Sequence, residues 1–155
     1  MAAGKLPEPT PSPWKTAVSG ALVAVLIFAV ALAIFEPAWQ NTDDPRMALK
    51  VSGIASPLES EPHLLYTHIW LGRGLAGLYQ ISPDVPWYGI YLLAAQTLAW
   101  AALLDCVFQL TIQRPIRFLV AAFAVGCVAW SVTHMQFTTS ATIVATAGAM
   151  QILTA

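Results

Sequence analysis

Thr16 to Phe35 reads TAVSGALVAVLIFAVALAIF, an apolar run without a formal charge. A helix rises about 1.5 Å per residue, so about 20 apolar residues cross the ~30 Å hydrocarbon core of a bilayer. Val85 to Leu104 is a second charge-free run of the same length. From Phe118 to Ala155 there is again no formal charge, over a stretch too long for one span and about right for two. His134, Gln136, Thr138 and Thr139 mark the turn between those two. The pattern predicts an all-α, polytopic membrane protein with four transmembrane helices, over 15–35, 87–110, 116–134 and 138–155.

Composition leads the same way. Of 155 residues, 57% are hydrophobic and 10% charged, whereas soluble domains carry about 25% charged residues. A water-soluble globule of this composition would expose large apolar patches. Two cysteines are too few for a secreted disulfide scaffold, and Cys106 and Cys127 both fall in predicted spans, where they read as apolar fillers. Seven basic and eight acidic residues, without a basic stripe, exclude a nucleic-acid partner. Residues 1–14 carry Pro7, Pro9, Pro11 and Pro13 and are expected to form a disordered tail. The first run also resembles a signal peptide, with Ala31-Leu32-Ala33 as a cleavage box, but it exceeds the usual h-region of about 7–15 residues and further spans follow.

Lys5 and Lys15 precede the first run, and Arg114 and Arg117 sit between the second and third. Cytoplasmic loops are rich in such residues, so both termini are expected in the cytoplasm and the loop 36–86 outside. A loop of that length carries structure or function. Two short interfacial helices are expected in it. The first starts with Asp44 as N-cap and Pro45 as first helical residue, and stops at Gly53. The second runs over 62–79, with Leu64, His68, Leu71, Leu75 and Leu78 on one face and His63, Tyr66, Trp70 and Arg73 on another. Gly72, Gly74 and Gly77 would admit another helix closely.

Asp43 and Asp44 follow the first span closely and should sit just outside the bilayer. Each has two readings. A carboxylate there could act as general base toward an acceptor hydroxyl. Alternatively, Asp44 is a helix cap and Asp43 is merely solvated. Arg46, Lys50 and Arg73 are the cations of the loop. Arg46 and Arg73 could bind a phosphate through bidentate contacts, or face ordinary anionic lipid. His63 and His68 do not share a helix face, and their spacing gives no zinc motif. A divalent cation shared between Asp43 or Asp44 and a bound phosphate stays open. Tyr66, Trp70, Tyr79, Trp87, Tyr88 and Tyr91 read as an aromatic belt, though such rings also stack on sugars. His134 reads as an interfacial histidine or a pocket residue, and Gln96, Asp105 and Ser131 as polar exceptions within spans.

One arrangement resembles a known family. A span, an acidic pair, two short surface helices and a second span are similar to the N-terminal region of GT-C type glycosyltransferases. The residues are Asn41-Thr42-Asp43-Asp44-Pro45-Arg46-Met47, Ser52-Gly53, Leu78-Tyr79 and Pro86-Trp87-Tyr88-Gly89. Uncharacterised bacterial members look alike. The resemblance implies a polyprenyl-phosphate sugar donor, an essential acidic residue at Asp43 or Asp44, and a bacterial inner membrane. It also implies eight or more spans, so this chain would be an N-terminal fragment or be completed by further helices or subunits. Under that reading Asp43 and Asp44 are catalytic candidates, and Arg46, Arg73, His63 and Trp70 are substrate-binding candidates. The competing expectation is a non-enzymatic four-helix membrane subunit whose outer loop docks a partner.

Overall fold

The computed structural model describes residues 12–39, 43–54, 61–64, 67–109 and 114–154. Most of the proline-rich tail lies outside them, as do Asn41, Thr42 and Tyr66. The described residues form six helices: α1 Pro13–Ile34, α2 Asp43–Ser52, α3 Ile69–Ile81, α4 Trp87–Gln109, α5 Arg114–Thr133 and α6 Phe137–Thr154. The all-α expectation therefore holds. The bounds of α1, α4, α5 and α6 follow the apolar runs closely. Among them, α1 and α4 are long and apolar enough to cross a membrane, while α5 and α6 carry shorter apolar stretches over Phe118–Thr133 and Phe137–Leu153.

The four long helices make a bundle around α4, which packs along α1 and α6. Gly20 near the start of α1 lies against Ala101 and Asp105 near the end of α4, so these two run antiparallel. Ala24 meets Leu104 and Ala124, and Phe28 and Ala31 meet Val128 and Val132, which sets α5 parallel to α1. The Gln96 amide donates to Ser140 Oγ at 2.9 Å and the Gln151 amide to the Ala102 carbonyl at 3.1 Å, which sets α6 parallel to α4. The order is up, down, up, down.

Small and large apolar residues share the bundle interior, and the outside of the bundle is apolar as well. Small residues such as Ala24, Ala31, Ala99, Ala124 and Ala147 are buried between helices, while Leu22, Val25, Leu98, Phe118, Leu119 and Phe123 are exposed. Small residues let helix backbones approach closely. At Gly20 an added Cβ would lie 2.8 Å from the Ala101 carbonyl oxygen, so glycine is required by contact rather than by conformation.

α2 and α3 pack on each other and on the first turns of α4, forming a cap at that end of the bundle. Met47, Val51, Leu75, Ala76, Tyr79, Tyr88, Leu92 and Met135 are its buried core. The chain leaving α1 runs beside the α5–α6 turn, where Met135 N–H donates to the Ala38 carbonyl at 2.7 Å. His134 lies in that turn, stacked on Trp130 with ring centroids 5.1 Å apart and bonded through Nδ1 to Thr133. It is a satisfied histidine at the bundle end.

Three expectations for the cap need correction. α2 extends to Asp43, so Asp44 lies inside its first turn and is not its N-cap. Its stop at Gly53 is as expected, with φ of 78°. The second helix begins at Ile69, not near 62, and runs to Ile81. Residues 61–64 instead form a non-helical strap. Glu61 N–H donates to the Lys50 carbonyl at 3.1 Å, and Lys50 Nζ donates to the His63 carbonyl at 2.8 Å. These bonds to α2 replace the intrahelical bonds the periodicity suggested. His68 becomes the N-cap, its Nδ1 accepting Trp70 N–H at 3.3 Å. Gly72 does admit a close neighbour, but it is the strap: an added Cβ would run into the Pro62 carbonyl oxygen. Gly74 and Gly77 face open space rather than another helix.

Candidate functional site

The acidic pair divides between two environments. Because both residues lie in the first turn of α2, their side chains point about 100° apart. Asp44 turns into the cap and is 1% exposed, whereas Asp43 is exposed. Burying a carboxylate is costly unless it is hydrogen-bonded. Asp44 meets that demand with partners from two other helices. Tyr88 Oη of α4 donates to Oδ1 at 2.9 Å. The backbone N–H of Phe137, first residue of α6, reaches Oδ1 at 3.1 Å and Oδ2 at 3.2 Å. Asp44 thus caps α6 from outside that helix, where the positive end of the helix dipole favours an anion.

Tyr88 extends the network. Its ring is fully buried between Trp39, at 5.9 Å between centroids, and Tyr91, at 6.4 Å. Its own N–H donates to Tyr79 Oη of α3 at 3.1 Å. One tyrosine therefore ties α2, α3 and α4 together. In sequence it is indistinguishable from its aromatic neighbours in the belt, which is why the pattern held no sign of its role.

The other candidates do not converge on one cavity. Arg46 is exposed on α2, one turn beyond Asp43. Arg73 holds its guanidinium 5.1 Å over the Trp70 ring on α3, and both are exposed. His63 pairs through its ring with Glu61. The Glu61 carboxylate also accepts the His63 backbone N–H at 3.0 Å, which holds its pKa below the usual carboxylate range, with the ring contact adding to the effect. Among the described residues no cluster of three or more His, Cys, Asp or Glu could hold a metal ion by side chains alone.

A cleft of about 400 Å³ opens between α5 and α6 over Trp100, lined also by Phe123, Gly126, Cys127, Trp130 and Ile143. Its lining contains none of the candidate residues. Deeper in the bundle, Asp105 is 9% exposed and its Oδ2 accepts the Gln109 amide at 2.9 Å and the Gln151 amide at 3.4 Å. These bonds give it a structural role at the end opposite the cap.

The chain is thus an all-helical protein with two helices able to cross a membrane and a small helical cap fixed by a buried carboxylate. It matches no family model, no curated protein and no solved structure.

Proposed function

We propose that this chain forms all or part of a membrane glycosyltransferase that moves a sugar from a polyprenyl-phosphate donor to an acceptor at the outer face of a bacterial inner membrane. The observation that carries the reading is the division of labour in the acidic pair. Asp44 is occupied in holding the first turn of α2 against α4 and α6. Asp43 beside it is exposed on that fixed turn, with exposed Arg46 one turn on. Residues three apart are neighbours on a helix surface. An acid and a cation are thus held together at the end of the bundle.

In this mechanism Asp43 takes the proton from an acceptor hydroxyl. The acceptor oxygen bonds to the anomeric carbon as the bond from that carbon to the phosphate oxygen breaks. Polyprenyl phosphate leaves with the electron pair, with Arg46 beside its charge, and the anomeric configuration inverts. All four long helices span the bilayer in this reading. The exposed leucines and phenylalanines around the bundle support it, since in water they would form one large sticky surface. Lys15 at the start of α1 and Arg114 and Arg117 at the start of α5 share the end opposite the cap, supporting cytoplasmic termini.

The second reading, a non-enzymatic membrane subunit docking a partner through its cap, is favoured by one observation. Arg73 and His63 are engaged with Trp70 and Glu61 rather than drawn toward the aspartates. Transfer from a radiolabelled polyprenyl-phosphate sugar in proteoliposomes separates the two. General-base catalysis contributes roughly 10²–10⁴-fold, so Asp43→Asn should lower turnover by about that factor. Undiminished turnover in Asp43→Asn would remove Asp43 as base. Absence of donor binding and transfer in every preparation would favour the subunit.

A further inference from the structure

Along α3 the buried residues Gly72, Leu75, Ala76 and Tyr79 form one side, packed into the cap. The opposite side is apolar and open. Trp70 is 69% exposed and Ile81 is 82% exposed, with Gly74 and Gly77 between them on the same side. Leu78, 38% exposed, widens the stripe on one flank. On the other flank stand Arg73 and Gln80, two turns apart and both exposed. The exposed surface of this helix is therefore split lengthwise, apolar on one edge and polar on the other.

The position of α3 is fixed as well. Tyr88 N–H donates to Tyr79 Oη at 3.1 Å, and Trp87 Nε1 donates to the Ser82 carbonyl at 2.9 Å. The last turn of α3 is thus fastened to the first turn of α4. Where α4 crosses a bilayer, that places Ile81 at the membrane surface.

We infer that the Trp70–Leu78–Ile81 edge of α3 seats in the phospholipid surface, with its apolar stripe in the acyl boundary and Arg73 among the headgroup phosphates. The inference rests on the membrane-spanning reading of α1 and α4. Amphipathic helices with a Trp-bearing apolar face lie in this layer, their apolar side entering it by roughly 5–10 Å. Arg matches phosphate oxygens in a bidentate manner. Arg73 is thereby assigned to the bilayer rather than to a sugar donor.

Collision accessibility of spin labels tests this on the full chain in nanodiscs of equimolar phosphatidylcholine and phosphatidylglycerol. In a background carrying Cys106→Ala and Cys127→Ala, the label is placed by Arg73→Cys, Leu78→Cys, Gln80→Cys or Ile81→Cys. Leu22→Cys and Val25→Cys on α1 report the spanning region. The ratio of oxygen to nickel-chelate accessibility should be several-fold higher at 78 and 81 than at 73 and 80, and high at 22 and 25. Water-like ratios at 78 and 81 with lipid-like ratios at 22 and 25 would overturn the inference and leave the spanning helices intact. Water-like ratios at all six positions would overturn the spanning reading itself. Lipid-like ratios at 73 and 80 as well would mean that α3 is immersed, not seated at the surface.

Discussion

The carboxylate of Asp44 accepts the backbone N–H of Phe137, 93 residues further along the chain, at 3.1 and 3.2 Å. With Tyr88 Oη on the same carboxylate at 2.9 Å, one buried side chain joins the starts of α2 and α6 to the first turn of α4. Removing it strands a hydroxyl and a helix N-terminus inside the protein. Each buried polar group left without a partner costs about 1–3 kcal/mol. Asp44→Ala should therefore lose roughly 2–6 kcal/mol of stability. Asp43→Ala, on the exposed side of the same turn, should lose less; the helix-dipole contribution there is about 0.3–1 kcal/mol. Thermal unfolding of the two variants in the same detergent checks the ranking.

Where α1 crosses α4, Gly20 leaves no room for a side chain. A Cβ there would stand 2.8 Å from the Ala101 carbonyl oxygen and 2.9 Å from the Asp105 backbone nitrogen. Both obstacles are backbone, so a methyl group must push the helices apart. Overpacking of this kind typically costs about 1–3 kcal/mol. Gly20→Ala should be destabilised by that amount. Gly148→Ala on α6, where a Cβ meets nothing within 4 Å, should not be.

On α3 the glycines separate in the same way. Gly72→Ala collides with the Pro62 carbonyl, so the 61–64 strap must lift from the cap. The measurable outcome is faster cleavage by an added protease near the strap, with helix content unchanged. Gly74→Ala meets open space. It should gain about 0.5–1 kcal/mol from reduced unfolded-chain freedom. Equal cleavage of both variants would contradict the placement of the strap.

Acid should loosen that strap. The His63 backbone N–H holds the Glu61 carboxyl below its ordinary value of 4.5. A carboxyl whose pKa is lowered by folding contributes stability that is complete above the ordinary value and fades as pH falls through the lowered one. Hydrogen exchange at His63 N–H should accelerate, relative to intrinsic rates, below about pH 4.5 in the native chain. In Glu61→Gln this pH dependence should be gone.

Much of the bundle was legible in the sequence, because an unbroken charge-free run long enough to cross a bilayer is a local signal. The bounds of α1 and α4 follow from it directly. The cap was legible only in part. Gly53 stops α2 as its place in the chain suggested, since a left-handed residue is a local demand. The start of α3 was not legible, because strap residues 61–64 carry helical periodicity yet bond to Lys50 and to one another rather than along a helix. Pro45 marked Asp44 as the structural member of the acidic pair, but as a cap of its own helix rather than of α6. What fixes its role is a tyrosine 44 residues away and an N–H 93 residues away, which no local pattern encodes.

The most direct test of the Asp44 pin is a double-mutant cycle of Asp44→Ala with Tyr88→Phe. Tyr88→Phe keeps the ring between Trp39 and Tyr91 and removes only the hydroxyl. A hydrogen bond to a charged group is worth about 1.5–3 kcal/mol, and each single change breaks the same one. The double variant should be more stable than the sum of the single losses implies, with a coupling of at least about 1 kcal/mol. Strict additivity would contradict it, leaving Asp44 and Tyr88 buried side by side without holding the cap together.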